Sequence, residues 1–343
     1  MGRDPRLHDP FDLITLRQLV GNPPPEVHFL WGSKDNGLLQ ENSFVMLHAS
    51  EKMGKSMFTL NLAMAGARGD TEFLGIPINK PGFRTMIIQC EVHMRAVYER
   101  FVEMMKRGGV LTDEQADRIG INGCRTITLS NRATRGWLKY HIRKFRPNIV
   151  IIDPLARMLT EDENSNVAVG KGLAPLLDLR DDPGCSVLVV HHDSKAGDSN
   201  AGRPAHQRSR GANRLTADPD SIWSLTGMKR RGGPTAKFSC TARYGRQMDP
   251  FRVRLNEDTF WFERYSQSDE YVDDVINALN GEDLAQQALF EKLREKWNLH
   301  DEQHNDRTLR QRVDQVLEGG RVRRYEVGSI TVYTVSQEQE RSS

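Results

Sequence analysis

The residues with the clearest chemical potential form a short stretch in which a glycine, a lysine and a serine follow one another. The stretch comprises Ala49, Ser50, Glu51, Lys52, Met53, Gly54, Lys55, Ser56 and Met57. Binding of a nucleotide's terminal phosphates needs a loop of backbone N–H groups at a helix amino terminus, a lysine that reaches the β and γ oxygens, and a hydroxyl for Mg²⁺. Lys55 and Ser56 supply the last two groups. The stretch therefore predicts a site for ATP and Mg²⁺.

The residues on either side of this stretch favour the same interpretation. An apolar run at 44–47 precedes it, and a helical pattern at 55–68 follows it. A phosphate-binding loop requires this strand, loop and helix order, whereas a chance Gly-Lys-Ser at a helix start is the alternative explanation. Ala49 stands where the usual pattern has its first glycine, so we expect a negative φ there.

Polar side chains follow three further apolar runs. Asp153, Glu91 and the pair His191-His192 each come directly after such a run. Ligands bind at the carboxyl ends of strands in open α/β sheets, so we expect Asp153 in the Mg²⁺ shell and Glu91 beside the attacking water. Adjacent residues of a strand point to opposite faces, so we expect His192 alone to sense the γ-phosphate and no metal site at the pair. A capping acid, a solvated turn acid and a structural histidine are the alternatives.

Short apolar runs alternate with helical patterns along most of the chain. The runs lie at 44–47, 85–90, 149–152, 186–190 and 221–225, and the helical patterns at 55–68, 94–106, 136–145 and 168–179. Continuous apolarity is typical of strands buried on both faces of a parallel sheet. The alternation with helices indicates an α/β fold with a doubly wound, mostly parallel sheet.

The chain is expected to divide into four parts. These are an amino-terminal arm at 1–43 that packs on the core, an ATPase domain at 44–265, a small winged-helix-like domain at 271–336 and a disordered tail at 337–343. Two β-like runs, 251–255 and 259–262, close the large domain, and the polar stretch 263–270 is interpreted as a linker. Three helical patterns and a hairpin at 321–335 then follow in the order of a winged helix.

The cysteine content and the hydropathy restrict where the protein is expected to work. Four cysteines without CxxC spacing indicate reduced thiols rather than a disulfide framework or a zinc site. Every apolar run is far shorter than the roughly 20 residues of a membrane span, and the amino terminus lacks an apolar signal core. We therefore expect a cytoplasmic protein with no membrane partner.

Taken together, these residues resemble the RecA-like ATPases of the RepA group, which includes hexameric replicative helicases and plasmid replication proteins. The resemblance rests on Lys-x-Gly-Lys-Ser at 52–56, Glu91, Ile-Ile-Asp-Pro at 151–154, Val-His-His at 190–192 and Ala-Arg-Tyr-Gly at 242–245. It extends from about residue 27 to residue 262. It implies a RecA-like domain that binds ATP and Mg²⁺ between the subunits of a homo-oligomer, which we expect to be a hexameric ring.

The resemblance also implies roles for single residues. Glu91 corresponds to the glutamate that activates water, and His192 to the strand-end sensor. An arginine finger is expected from the neighbouring subunit, with Arg243 as the first candidate and Arg210, in Arg-Gly-Ala-Asn, as the alternative. Thr241 stands where helicases often carry a lysine two residues before the finger. A finger supplied in trans stabilises charge on the γ-phosphate and makes hydrolysis depend on assembly.

Basic residues are concentrated in two regions that suit a nucleic-acid backbone. Between residues 195 and 246 the chain has eleven Lys or Arg and three Asp. The loop at 195–214 is expected to line a channel for single-stranded DNA, as the resemblance implies. Further basic residues in the large domain are Lys229, Arg230, Arg231 and Lys237. The two elements with which a winged helix docks on DNA carry Arg307, Arg310, Arg312, Arg321, Arg323 and Arg324. A solvated loop and a protein-binding winged helix are the alternatives.

Two classes of function stay open at this stage. The first is a DNA-dependent motor, either a hexameric replicative DNA helicase or a plasmid or phage replication ATPase. The second is an ATP-switched replication or regulatory protein that binds DNA without unwinding it. A small-molecule kinase is less favoured, because the sequence has no recognisable lid or acceptor pocket.

Overall fold

The computed structural model describes residues 13–123, 128–159, 166–181, 184–192, 214–227, 235–297, 302–318 and 320–336. The helices are α1 (Leu16–Gly21), α2 (Lys55–Arg68), α3 (Met94–Gly108), α4 (Asp113–Ala116), α5 (Arg132–Phe145), α6 (Asn166–Asp181), α7 (Arg214–Ala217), α8 (Gln267–Leu279), α9 (Gln286–Lys296) and α10 (Glu302–Glu318). The strands are β1 (Phe29–Trp31), β2 (Leu39–Gln40), β3 (Phe44–Ala49), β4 (Glu72–Phe73), β5 (Ile76–Pro77), β6 (Thr85–Gln89), β7 (Ile119–Gly123), β8 (Ile149–Asp153), β9 (Ser186–His192), β10 (Ser221–Gly227), β11 (Thr235–Ala242), β12 (Phe251–Leu255), β13 (Phe262–Tyr265), β14 (Leu284–Ala285), β15 (Val322–Val327) and β16 (Ile330–Val335). The predicted tail at 337–343 lies outside the described residues.

A nine-stranded sheet forms the centre of the large domain, in the order β13-β12-β11-β10-β3-β9-β8-β6-β7. The six strands from β10 to β7 are parallel, and β11, β12 and β13 continue the sheet in antiparallel fashion. Every residue of β3, β6 and β8 is buried, as expected for strands covered on both faces. The predicted α/β fold with a doubly wound, mostly parallel sheet is confirmed.

The sequence pattern does not predict β7. This strand lies at the edge of the sheet and contains Gly120, Asn122 and Gly123, so it has no apolar run. Its residues are half-buried or exposed, because only one side of an edge strand is paired. The residue composition of β7 therefore does not predict a strand. Parallel pairing with β6 stabilises it.

The interpretation of 263–270 as a linker is wrong. Strand β13 extends to Tyr265, and α8 begins at Gln267 with the side chain of Ser266 as its N-cap. The polar residues of β13 have partners across the sheet, since Glu263 forms an ion pair of 2.7 Å with Arg254 of β12. Cross-strand charge pairing thus supports a strand where polarity alone indicated a loop.

Two hydrophobic layers lie on opposite faces of the sheet. Alternate residues of β3 point into different layers, with Val45 and Leu47 in the layer of α2 and Phe44 and Met46 in the layer of α5 and α6. A third core is made entirely of side chains between residues 271 and 335. No helix in the described ranges has both the length and the hydropathy that crossing a membrane requires.

The amino-terminal segment divides into an exposed part and a buried part. All residues from 13 to 28 are exposed, including those of α1. Strands β1 and β2 are buried, and Trp31 is fully covered by the layer that contains α2. The arm predicted at 1–43 therefore packs on the core only from Phe29 onward among the residues described.

The third core joins α8, α9 and α10 to a three-stranded sheet in the order β14-β16-β15. The guanidinium of Arg312 lies over the rings of Tyr271 and Trp297, 5.0 and 5.2 Å from their centroids. Arg312 therefore packs inside this unit, whereas Arg307 and Arg310 are exposed on α10. The winged-helix interpretation of the unit stays a prediction.

Helix α2, which follows the phosphate loop, is buried along almost its whole length. Phe58 stacks on Phe238 of β11 with ring centroids 5.4 Å apart and meets Trp223 of β10 edge-on at 6.4 Å. Asn61 accepts a hydrogen bond of 2.7 Å from the backbone N–H of Phe262 in β13. These contacts fix α2 against the antiparallel part of the sheet.

Substitution of Phe58 by alanine tests this anchoring. Phe58→Ala should lower the free energy of unfolding by about 3–5 kcal/mol, because it leaves a cavity inside the aromatic cluster. Urea denaturation followed by circular dichroism measures the change. Val110→Ala is the control, since Val110 is 76% exposed and its truncation should matter by no more than about 0.5 kcal/mol. Equal stability of the two variants would contradict the anchoring role.

Candidate active site

The predicted phosphate loop connects β3 to α2 at the carboxyl edge of the parallel strands. Lys52 and Gly54 have φ values of 63° and 78°, in the left-handed region. A Cβ atom on Gly54 would lie 2.8 Å from the ring of Phe262. Backbone conformation and packing therefore both require glycine at this position. Ala49, in contrast, is the last residue of β3 and pairs with His192 of β9, so no glycine is needed there.

The ammonium group of Lys55 lies inside the loop. Its Nζ donates hydrogen bonds of 2.7 Å to the carbonyl oxygen of Ala49 and 2.8 Å to that of Ser50. The residue is 5% exposed. A buried cation at the amino terminus of a helix creates a strongly positive site, which favours an anion such as a phosphate group.

Asp153 is held by two neighbours at the end of β8. The hydroxyl of Ser56 lies close enough to its carboxylate to lower its pKa, and Nε2 of Gln89 donates to its Oδ2 at 3.2 Å. The side-chain oxygen of Gln89 also accepts a hydrogen bond of 2.9 Å from the backbone N–H of Glu91. Gln89 therefore links the turn that carries Glu91 to Asp153. Gln89 was not predicted as a site residue, although a polar residue within an apolar strand could have indicated it.

The environment of Asp153 disfavours its charged form. Burial raises the pKa of its carboxyl above the ordinary value, while hydrogen bonds from Ser56 and Gln89 lower it, the nearby Glu91 raises it and the charge of Arg100 lowers it. A cation beside the carboxylate would offset the cost of burial. The hydroxyl of Ser56 and the carboxylate of Asp153 thus form a pair suited to Mg²⁺.

Glu91 and His192 meet across the end of β8. Oε2 of Glu91 lies 3.6 Å from Nε2 of His192, and the two side chains are 44% and 32% exposed. Nδ1 of His192 is buried and has no hydrogen-bond partner among the described residues. His192 pairs in register with Ala49, the residue before the loop. The structure thus brings the predicted base and the predicted sensor to the edge that carries the phosphate loop.

Helix α3 contributes an arginine that the sequence analysis missed. Nη1 of Arg100 is buried without a hydrogen-bond partner in the part of the chain that the structure describes. Its positive charge acts on Asp153, which places it close to the site. A buried guanidinium nitrogen is costly unless an anion satisfies it, so Arg100 suits a phosphate oxygen. The sequence signal was weak, because arginines on a helix are usually solvated.

Of the two finger candidates, Arg243 does not lie near the phosphate loop of the same chain. Ser221, the first residue of β10, pairs with Val45 of β3 and with Ala242 of β11. Arg243 follows Ala242 and is exposed, so it lies at the amino edge of the parallel strands, opposite to Lys55. Arg210 lies outside the described residues.

The donor set fits ATP with Mg²⁺. The edge provides an ammonium group, a guanidinium nitrogen without a partner among the described residues, and a hydroxyl–carboxylate pair. No group of three or more His, Cys, Asp or Glu within the described ranges could hold a metal ion. Mg²⁺ commonly takes one or two protein ligands and completes its shell with phosphate oxygens and water. The site therefore suits a metal ion that arrives with the nucleotide.

Substitution of Asp153 tests two effects separately, the destabilisation caused by its buried charge and its role in ATP turnover. Asp153→Asn should raise the midpoint of thermal unfolding without ligands, because it removes a buried charge, and should lower ATP turnover about 10–100-fold. The folded-state pKa of Asp153 is raised, so the stability gain should be largest at neutral pH and shrink as pH falls through that pKa. Calorimetry across pH and a phosphate-release assay measure both effects.

Asp258→Asn is the matched control, since Asp258 is exposed and should leave stability and turnover unchanged. A lower unfolding temperature for Asp153→Asn at neutral pH, or normal turnover, would contradict the assignment.

Comparisons with known proteins agree with this geometry. The family model described as an AAA domain (AAA_25) matches residues 10–198 of the 343. The matched range includes Lys55, Glu91, Asp153 and His192, whereas Arg243 lies beyond it. A comparison with curated proteins found no match.

Three solved structures are similar to the chain at low sequence identity. One solved ATPase domain is 13% identical, with 66% of this chain and 86% of that chain covered and a TM-score of 0.50. The RadB recombinase is 15% identical, with coverage of 66% and 92% and a TM-score of 0.47. A KaiC-like protein from Pyrococcus horikoshii OT3 is 13% identical, with coverage of 70% and 100% and a TM-score of 0.48. The likeness to the first of these, the ATPase domain, shows a common RecA-like fold.

Proposed function

The chain belongs to the AAA domain family and has the fold of a RecA-like P-loop ATPase, and from this premise we propose that it is a DNA-associated motor. In this proposal the chain forms a ring, hydrolyses ATP between neighbouring subunits, and serves as a hexameric replicative DNA helicase or a plasmid or phage replication ATPase. One observation carries the proposal. Lys55, Asp153 and His192 share one edge of the sheet, whereas Arg243 lies exposed at the opposite edge.

In this proposal, different residues of the carboxyl edge bind the phosphates and Mg²⁺. Lys55 and the loop N–H groups hold the β- and γ-phosphates, and Arg100 adds a second cation on the side of α3. Ser56 and Asp153 would hold Mg²⁺, with Gln89 fixing the carboxylate. Mg²⁺ held there would supply positive charge for the phosphate oxygens.

Glu91 is the residue that activates water in this proposal. Its side chain is 44% exposed and so reaches solvent at the edge of the site. The 3.6 Å separation from His192 is longer than an ordinary hydrogen bond. Movement of His192 toward a γ-phosphate would change the charge and space beside Glu91, which is available for proton transfer. This link makes His192 a sensor of the nucleotide and Glu91 the base that responds.

A finger supplied by a neighbour follows from the length of the strands. The six residues of β3 separate the two edges by roughly 15–20 Å at about 3.3 Å per residue. No arginine side chain spans that distance, so Arg243 cannot reach the phosphates held by its own chain. A second copy with its amino edge against the first one's carboxyl edge supplies the guanidinium in trans.

Support for DNA as the partner comes from sequence and topology. The basic segment at 195–214 is separated from β9 by two residues, so the sensor His192 and this segment are close along the backbone. Residues 195–213 and Lys229, Arg230 and Arg231 lie outside the described residues, and Lys237 is exposed on β11. Changes at the γ-phosphate therefore have a short covalent route to a basic segment.

The second candidate function is an ATP-switched replication or regulatory protein that binds DNA without unwinding it. The exposed Arg307 and Arg310 on α10 favour a docking role for the carboxyl-terminal unit. Displacement of a strand from a forked duplex distinguishes the two functions, since only the motor separates strands.

The test of the proposal uses two inactive variants. ATP turnover should rise with single-stranded DNA in the wild-type protein, and Arg243→Ala should lower it about 10³-fold with nucleotide affinity nearly intact. Lys55→Ala should also be inactive. A mixture of the two variants should regain part of the turnover, because some interfaces then combine an intact Lys55 with an intact Arg243.

Phosphate release measured beside particle mass in ATP gives the outcome. A wild-type protein that stays monomeric and ignores DNA would contradict the motor. Failure of the mixture to recover activity, with both variants assembled, would remove Arg243 as the finger.

A further inference from the structure

The outer side of α5 carries a basic and aromatic surface that the proposed function does not use. From residue 128 to residue 148 the chain has six Lys or Arg and no Asp or Glu. The α5 surface is defined here by Arg132, Lys139, Tyr140, Arg143 and Lys144, all exposed except for the half-buried Lys139.

The packing of α5 leaves these side chains on the outside. Leu138 and Ile142 are buried in the layer shared with α6. Arg135 belongs to the inner side, since its Nη1 donates to the carbonyl oxygens of Leu129 and Ser130 at 2.9 and 2.7 Å. At 3.6 residues per turn, the remaining basic residues lie along the opposite side of the helix. The apolar side of α5 is thus used by the core, and Arg132, Tyr140 and Lys144 are exposed on the other side.

The α5 surface runs from one edge of the sheet to the other. Near its start, Leu129 donates a backbone hydrogen bond of 3.0 Å to Met158, just beyond the carboxyl end of β8. At its end, the ring of Phe145 lies 4.3 Å from the guanidinium of Arg84, which directly precedes β6 at the amino edge. The helix spans about 20 Å. A chain lying along it would therefore pass from the ATP edge to the edge of Arg243.

An exposed aromatic ring lies within the basic residues. Tyr140 is 60% exposed. Its ring meets His141 edge-on with centroids 5.1 Å apart, and His141 lies 4.5 Å from Trp137. The three rings form a braced group, so Tyr140 is held in place at the surface. A fixed aromatic face among cations is the combination that binds single-stranded nucleic acids without reading their sequence.

We propose that the α5 surface binds single-stranded DNA on the outside of the domain, with phosphates along the basic residues and a base stacked on Tyr140. The choice of DNA as the polyanion rests on the proposed function, whereas the position of the site rests on α5 alone. A lipid surface fits less well, because the apolar side of α5 is buried. An acidic protein segment would leave the exposed ring without a role.

Photo-crosslinking locates the contact directly. An oligonucleotide carrying 5-iododeoxyuridine is irradiated with the full chain, and the cross-linked residue is identified by mass spectrometry. Tyr140 should be cross-linked, and unlabelled single-stranded DNA should compete. Tyr140→Ala should remove this cross-link.

The salt dependence of binding tests the charges. Arg132→Gln with Lys144→Gln should reduce the slope of log affinity against log salt by about 0.7 for each phosphate that the protein no longer neutralises. The control is Arg95→Gln with Lys106→Gln, which removes the same charge from residues that pair with Glu99 and Glu103 at 2.7 and 3.2 Å. The control slope should match the wild type. Circular dichroism confirms that all variants are folded.

The outcomes separate this inference from the motor. Cross-links that map only outside α5, or equal slopes for the α5 variant and its control, would overturn the inference whatever the ATPase does. A cross-link at Tyr140 in a protein that stays monomeric, with turnover unaffected by DNA, would support the α5 surface and contradict the motor. Displacement of the oligonucleotide by a polyglutamate peptide at equal charge would reassign the surface to a protein partner and overturn it.

Discussion

The active site depends on how the core holds the amino terminus of α2. Phe58 packs in the aromatic cluster, and Asn61 hydrogen-bonds to the backbone of Phe262. The ring of the same Phe262 lies against Gly54 in the phosphate loop. Phe262 therefore contacts both α2 and the phosphate loop. The position of Lys55 is fixed by packing in the buried core. A site held by its core needs little reorganisation when the phosphates bind.

The carboxyl edge brings a buried carboxylate close to a buried guanidinium nitrogen. Burial raises the pKa of Asp153, and Arg100 has a buried nitrogen without a partner among the described residues. Each charge is costly by itself, because the interior solvates ions poorly. Phosphate oxygens complement Arg100 and Lys55, and Mg²⁺ complements Asp153. The nucleotide and its metal should therefore stabilise the fold as well as react within it.

The local parts of this site could be predicted from the sequence, and the long-range parts could not. Lys55 and Asp153 were proposed from the sequence because a loop motif and a strand-end acid are visible within a few residues, and their roles stay predictions. Gln89 and Arg100 were missed because their importance comes from neighbours that only the fold brings near. That Arg243 acts from a neighbouring subunit was expected from the resemblance, but its position at the amino edge depends on the antiparallel pairing of β10 with β11, which the sequence pattern does not show. Strand β7 was not predicted either, because it is a glycine-containing edge strand without an apolar run that pairing with β6 stabilises.

Calorimetric titration of MgATP into the wild-type protein and into Lys55→Ala shows whether the loop around Lys55 holds the phosphates. We expect saturable binding to the wild type and an affinity about 100-fold lower for the variant, because losing one partner of a buried charge pair costs about 2–5 kcal/mol. Lys106→Ala, on the exposed side of α3, should bind like the wild type. Equal affinity of a folded Lys55→Ala protein for MgATP would contradict the claim that this loop holds the phosphates.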